Sequence, residues 1–112
     1  AAGRFQISRA GWIGDYVDPN TFLDLWITGG GNNRSGWSNA EYDRLVLQDA
    51  PAAATREQRY AYFRRAEAIL LDELPMIPLY TYTSAHLVAL PVKGMPGNIL
   101  DYALYKNMYL EE

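Results

Sequence analysis

The chain has 112 residues, 49% of them apolar and 21% charged, with a net charge of −3 and no cysteine. That composition is ordinary for a folded globular protein and excludes a disordered or collagen-like chain. Basic residues stand singly or in short pairs such as Arg64-Arg65, so there is no basic stripe for nucleic acid, and the missing cysteines exclude disulfides, thiolate nucleophiles and cysteine metal sites.

Residues 4–8, RFQIS, alternate polar and apolar and predict a short half-buried strand leading into Gly11 and Trp12. Asp18-Pro19 predicts a helix start, because the aspartate accepts orphan backbone amides and proline has no amide proton to satisfy. Phe22, Leu23, Leu25 and Trp26 follow at helical spacing, and the helix stops before Thr28-Gly29-Gly30-Gly31. The segment GGGNNRSG, Gly29 to Gly36, is rich in residues that tolerate positive φ and predicts an exposed loop.

A second helix is predicted from Ser38, where Ser-Asn-Ala-Glu has capping-box spacing. Tyr42, Leu45, Val46 and Asp49 share one face of it, and the Pro51 to Ala54 connector breaks it after Ala50. A third helix is predicted from a second capping box, Thr55-x-x-Gln58, with Tyr60, Phe63, Ala66, Leu70 and Leu74 along its apolar face. Pro75 and Pro78 end it.

The run from Ile77 to Tyr82 is rich in β-branched and aromatic residues and predicts a strand, and His86 to Leu90 predicts a second extended run. Val92 to Pro96 predicts a turn-rich connection, whereas the tail, with tyrosines at 102, 105 and 109, has no clean period. Apolar runs such as Ala68 to Leu71 and Met76 to Tyr80 are far shorter than the ~20 residues of a membrane helix. The chain opens on Ala-Ala-Gly with neither an initiator methionine nor a signal-peptide pattern, and is expected to be a truncated piece of a longer protein.

Among chemistry-bearing residues, Asp15 and Asp18 admit a reading as the acid and base of a small hydrolase, since paired carboxylates do this work in glycoside hydrolysis. Against it, Asp18 already has a capping role and glycosidase carboxylates usually come from separate elements. Asp15 follows Gly14 and sits among Trp12 and Tyr16. It is either a solvated loop residue or a partly shielded carboxylate facing a ligand cation.

The GGGNNRSG loop lacks the lysine of a phosphate-binding loop, and His86 has no second histidine or cysteine to complete a zinc set. Tyr80 and Tyr82 alternate with threonines and share one face, which suits either core packing or a groove that takes a peptide or sugar.

In succession, RAGWIGDYVDPNTFL, GGGNNRSGWSNAEYDRL, REQRYAYFRRAEAILLDELPMIPLYTY and VKGMPGNILDYALYKNMYL span essentially the whole chain. This ordered set resembles the C-terminal part of the periplasmic oligopeptide- and dipeptide-binding proteins, the family 5 solute-binding components of ABC importers. The resemblance implies a mixed α/β (α+β) fold, a fragment of the C-terminal lobe of a two-lobed binding protein with about three helices and short strands. Residues 1–84 would be the latter part of the large ligand-binding lobe, and 85–112 the segment returning to the N-terminal lobe.

It further implies a periplasmic or membrane-tethered extracytoplasmic protein with no catalysis and no cofactor, whose partners are a peptide ligand and a membrane permease. In that family the aspartate of the W-x-x-D-Y motif binds the peptide α-ammonium group, and here that position is Asp15. Trp12 and Arg9 match cleft-lining residues, Ile13 falls where the backbone meets the peptide, and Gly11 permits close approach. Asn32, Trp37 and Tyr82 match positions at or near the groove. Relatives in the superfamily that carry oligosaccharides or nickel leave a sugar or a metal chelate as the alternative ligand. Exposed apolar surface at Trp12, Tyr80, Tyr82 and the tail aromatics, and self-association of the isolated chain, are expected.

Overall fold

The computed structural model describes residues 5–95, 97, 100 and 104–111. Arg4 of the first predicted strand, Pro96 of the predicted turn and Tyr102 of the tail lie outside the described residues. The chain divides into two compact units, Ala1–Pro78 and Leu79–Glu112.

The first unit is helical. Asp18 starts α1 (Asn20–Leu23) as its side chain predicts: Oδ1 accepts the Asn20 amide at 2.9 Å, and Pro19 already has helical angles. The helix tightens at once into a 3₁₀ turn, Asp24–Trp26, so the predicted longer helix is in fact two short pieces. Helix α2 (Ala40–Arg44) continues into a π-helical turn, Leu45–Asp49. Its cap is Asn39 and not Ser38: Asn39 has extended backbone angles, and its side chain accepts the Tyr42 amide at 2.9 Å.

Helix α3 (Arg56–Glu73) is the long element, and its predicted capping residues do the capping. Thr55 accepts the Gln58 amide at 3.2 Å, while the Gln58 side chain turns back to the Ala54 amide, also at 3.2 Å. The helix ends at Leu74, a non-glycine residue in left-handed conformation with φ 48°, a strain held by its amide bond to the Leu70 carbonyl and by Pro75 directly after.

The core of this unit is where the three helices meet. Tyr42, Leu45, Val46 and Ala50 from the second helical segment pack with Phe63, Ala66 and Leu70 of α3 and Leu23 of α1. The predicted faces are therefore correct, except that Leu74 at the end of the α3 stripe is exposed. Tyr42 is fully buried and its hydroxyl donates to the Leu23 carbonyl at 2.6 Å, tying α2 to the end of α1. The Gly29 to Gly36 loop is held from inside by Asn33, whose Nδ2 donates to the carbonyls of Trp26, Ile27 and Trp37 at 3.2, 3.1 and 2.8 Å.

The second unit contains a two-stranded antiparallel ladder, β1 (Val92–Lys93) and β2 (Tyr109–Leu110), with Val92 opposite Leu110 and Lys93 opposite Tyr109. The connection enters at Gly94, whose φ of 75° places the backbone against the Asn107 carbonyl where a side chain would collide. A single 3₁₀ turn, Tyr105–Asn107, precedes β2.

The strands predicted at 4–8 and 77–82, and the extended run predicted at 86–90, form no ladder among the described residues. Alternation commits a segment to an extended backbone, but a strand exists only when a second strand supplies the other half of its hydrogen bonds. These segments are instead exposed, with Ile7, Leu79, Leu87 and Leu90 largely in solvent.

Candidate functional site

The segment that carries most of the predicted residues, Gly11 to Asp18, is irregular chain fastened to the start of α1. Gly14 lies against the helix: a Cβ there would meet the Thr21 methyl at 3.2 Å and the Phe22 ring at 3.3 Å. The next amide, Asp15 N–H, donates to Thr21 Oγ1 at 3.0 Å, and Thr21 is buried. The Tyr16 hydroxyl accepts from Asn20 Nδ2 at 3.0 Å and donates to Asp24 Oδ2 at 3.4 Å. Asp18, at the far end, is gripped by Arg59 of α3 through both carboxylate oxygens.

The two aspartates are thereby separated. Asp18 is a cap and one half of an ion pair, and its carboxyl is held below the ordinary carboxylate value. The hydrogen bonds from Arg59 are the main cause; desolvation opposes them, and the Asn20 amide and the Arg59 charge assist them. Asp15 is exposed, and among the described residues no side chain pairs with its carboxylate. It is held by its backbone and presents its charge outward.

Trp12, Ile13 and Tyr16 stand beside it, 38%, 70% and 43% exposed, and Arg9 and Gly11 are exposed in the preceding chain. Asn32 is exposed in the glycine-rich loop. Trp37 is half-buried, edge-on to the Tyr42 ring at 5.0 Å, with its Nε1 donating to Glu73 Oε2 at 2.7 Å. Tyr82 belongs to the second unit, where its ring meets that of Tyr80 at 4.9 Å. Gly11, Trp12, Ile13 and Asp15 are thus exposed on one stretch of chain interrupted by Gly14, which lies against the helix, and Asn32 and Trp37 lie on and after a separate loop.

Two shallow open depressions flank α3, one lined by Arg56, Tyr60 and Arg64 and the other by Pro19, Phe22 and Phe63; neither includes a predicted site residue. Among the described residues no three histidine, cysteine or acidic side chains gather to hold a metal, and no described helix is long and apolar enough to cross a membrane.

Sequence reasoning missed Thr21, Arg59, Asn33 and Glu73. Thr21 and Arg59 shape the Asp15 loop, while Asn33 and Glu73 shape the surroundings of Trp37. Nothing in local pattern marks them, since each acts on a residue that only the fold brings near.

No family model matches the chain. Individual proteins do. The dipeptide-binding protein DppE of Bacillus subtilis is 39% identical over 88% of the chain, and the periplasmic murein peptide-binding protein MppA of Escherichia coli 38% identical over 96%. The oligopeptide-binding protein OppA of Bacillus subtilis is 37% identical, also over 96%. The solved structure of MppA in its unliganded open form superposes with a TM-score of 0.69 at 37% identity, covering 88% of this chain and 19% of that one.

The chain spans about a fifth of the length of these relatives, each of which is named as a binding protein and not as an enzyme. With sequence and fold in agreement over most of its length, the chain is similar to a segment of the oligopeptide- and dipeptide-binding proteins, and a C-terminal fragment of a family 5 solute-binding protein fits it.

Proposed function

We propose that this chain is part of the substrate-binding component of an ABC importer, that it acts outside the cytoplasmic membrane in the periplasm, and that it captures oligopeptides or dipeptides for a membrane permease. Asp15 anchors the peptide α-ammonium group. The observation that carries this reading is the Asp15 loop itself, a carboxylate fixed by its backbone and exposed without a partner among the described residues. Once a closing lobe excludes water, a peptide's amino end must be neutralised, and a carboxylate does so with charge-assisted hydrogen bonds about twice as strong as neutral ones.

Arg9, Gly11, Trp12 and Ile13 line the cleft beside it, where main-chain hydrogen bonds add the peptide like a strand and do not depend on its sequence. Asn32 and Trp37 complete the groove within the first unit. Residues 1–84 belong to the ligand-binding lobe, and 85–112 return to the other lobe. Relatives named for dipeptides, oligopeptides and murein peptides support the peptide class.

A second reading rests on a specific relative: the probable deoxycholate-binding periplasmic protein YgiS of Escherichia coli is 33% identical over 98% of the chain. An acidic amphiphile has no ammonium group for Asp15. Calorimetry of the full-length protein with tri-alanine, N-acetyl-tri-alanine and deoxycholate separates the readings. Binding of tri-alanine, lost on acetylation, is expected; binding of deoxycholate in place of both overturns the peptide reading in favour of the second.

A further inference from the structure

We infer that Thr21 is a positioning residue for Asp15, an inference that rests on the reading of Asp15 as the anchor of a ligand ammonium group. Thr21 is 1% exposed, a buried polar side chain in the first turn of α1. Both of its branches face the loop. The hydroxyl oxygen accepts the Asp15 amide at 3.0 Å, and the methyl sits where a side chain at position 14 would come within 3.2 Å of it.

The same residue's amide donates to the Asp18 carbonyl at 3.2 Å, so Thr21 is bonded to both ends of the turn that carries Tyr16 and Val17. The peptide plane entering Asp15 is thus fixed from a residue six positions later, and the carboxylate is aimed by a backbone that cannot swing. A charged anchor gains affinity from such fixation because less freedom is lost when the ligand arrives. Thr21 itself, being buried, need not touch the ligand.

Three variants separate this role from simple support of the fold. In the full-length protein titrated with tri-alanine, Thr21→Val keeps the shape but removes the acceptor and is expected to weaken binding by about tenfold, while Thr21→Ser keeps the acceptor and stays within about threefold. In an Asp15→Ala background, Thr21→Val is expected to change affinity by less than about twofold, because the residue it positions is gone. An equal loss in both backgrounds would mean general structural support and would overturn the inference.

A readout without ligand is hydrogen exchange: Thr21→Val should speed exchange of the Asp15 amide and leave the buried Tyr42 amide unchanged. An Asp15 amide that exchanges as before overturns the positioning role. If instead Asp15→Ala alone leaves tri-alanine affinity unchanged while the Asp15 amide responds to Thr21→Val, it is the anchor reading that fails.

Discussion

Arg59 reaches back 41 residues to Asp18 and holds it with two parallel bonds, Nη1 to Oδ2 at 2.5 Å and Nη2 to Oδ1 at 2.8 Å. The pair joins the end of the Asp15 loop to α3, and both side chains are less than a third exposed. The guanidinium also lies over the Phe63 ring at 4.6 Å, so one arginine links the capping residue of α1 to the core.

Replacing Asp18 therefore removes a cap and an ion pair together. A lost cap costs about 1 kcal/mol, and a partly exposed pair of this two-pronged kind contributes up to about 1 kcal/mol. Asp18→Ala is expected to lower stability by about 2 kcal/mol in urea denaturation, and a double-mutant cycle with Arg59→Ala should return a coupling of about 1 kcal/mol. The sign with pH follows from the lowered carboxyl pKa. Its stabilisation is fully present above the ordinary value of 3.8 and is lost as pH falls through the lower folded value. The stability gap between the native chain and Asp18→Asn should accordingly be wide at pH 6 and close as the pH falls into the acid range below 3.8.

Tyr42 makes the opposite test, at alkaline pH. Burial pushes its phenol above the ordinary value of 10.0, and the charges of Asp24 and Asp43 push it further the same way. A raised folded pKa contributes stability that is whole below the unfolded value and is lost as pH rises through the folded one. Native protein should lose stability above pH 10, and Tyr42→Phe should remove that Tyr42-linked part of the loss. At neutral pH the same variant leaves the Leu23 carbonyl without its 2.6 Å partner, at an expected cost of about 1–3 kcal/mol by chemical denaturation.

Asn32 and Asn33 are adjacent and have different jobs. Asn33 satisfies three carbonyls at the root of its loop, while Asn32 is exposed. Asn33→Ala is expected to cost about 1–3 kcal/mol of stability, whereas Asn32→Ala should stay within about 0.5 kcal/mol of the native chain. Thermal unfolding of the two variants measures both.

The isolated chain should also self-associate. Leu79, Leu87 and Leu90 are 80%, 105% and 90% exposed within one segment, and exposed apolar surface of this kind favours association with another copy. Sedimentation should show a weight-average mass that rises with concentration; a monomer at every concentration would reject this.

What could be read beforehand follows a physical divide. Helix α3 was legible because its caps, its apolar stripe and its terminating proline all lie within its own sequence, and Phe63, Ala66 and Leu70 face the core as their spacing requires. Capping-box spacing points to Ser38, one residue before the actual α2 cap at Asn39, because both are competent caps and the loop's path decides between them. The composition of 77–82 predicts a strand and that of 86–90 an extended run, but a ladder depends on a partner that local pattern does not reveal. Asp15 stood out through the motif around it and not through periodicity. Thr21 and Arg59, which hold its loop, gave no local signal: a threonine inside a helix and an arginine on its polar face look ordinary until the chain is folded.

Asp15 is the residue whose removal should spare the fold and abolish the function. Its carboxylate makes no bond among the described residues, so Asp15→Ala should leave the melting temperature within the scatter of surface substitutions, about 0.5 kcal/mol. If Asp15 is the proposed anchor, the same change in the full-length protein would leave a desolvated ammonium group without its counter-charge, and the expected cost for truncating one side of such a pair is roughly 2–5 kcal/mol of tri-alanine affinity. N-acetyl-tri-alanine, which has no ammonium group, should bind the native protein and Asp15→Ala with equal weakness. Calorimetry that finds less than about a threefold loss for tri-alanine on Asp15→Ala, or an undiminished affinity for the acetylated peptide, would remove Asp15 from the role of anchor.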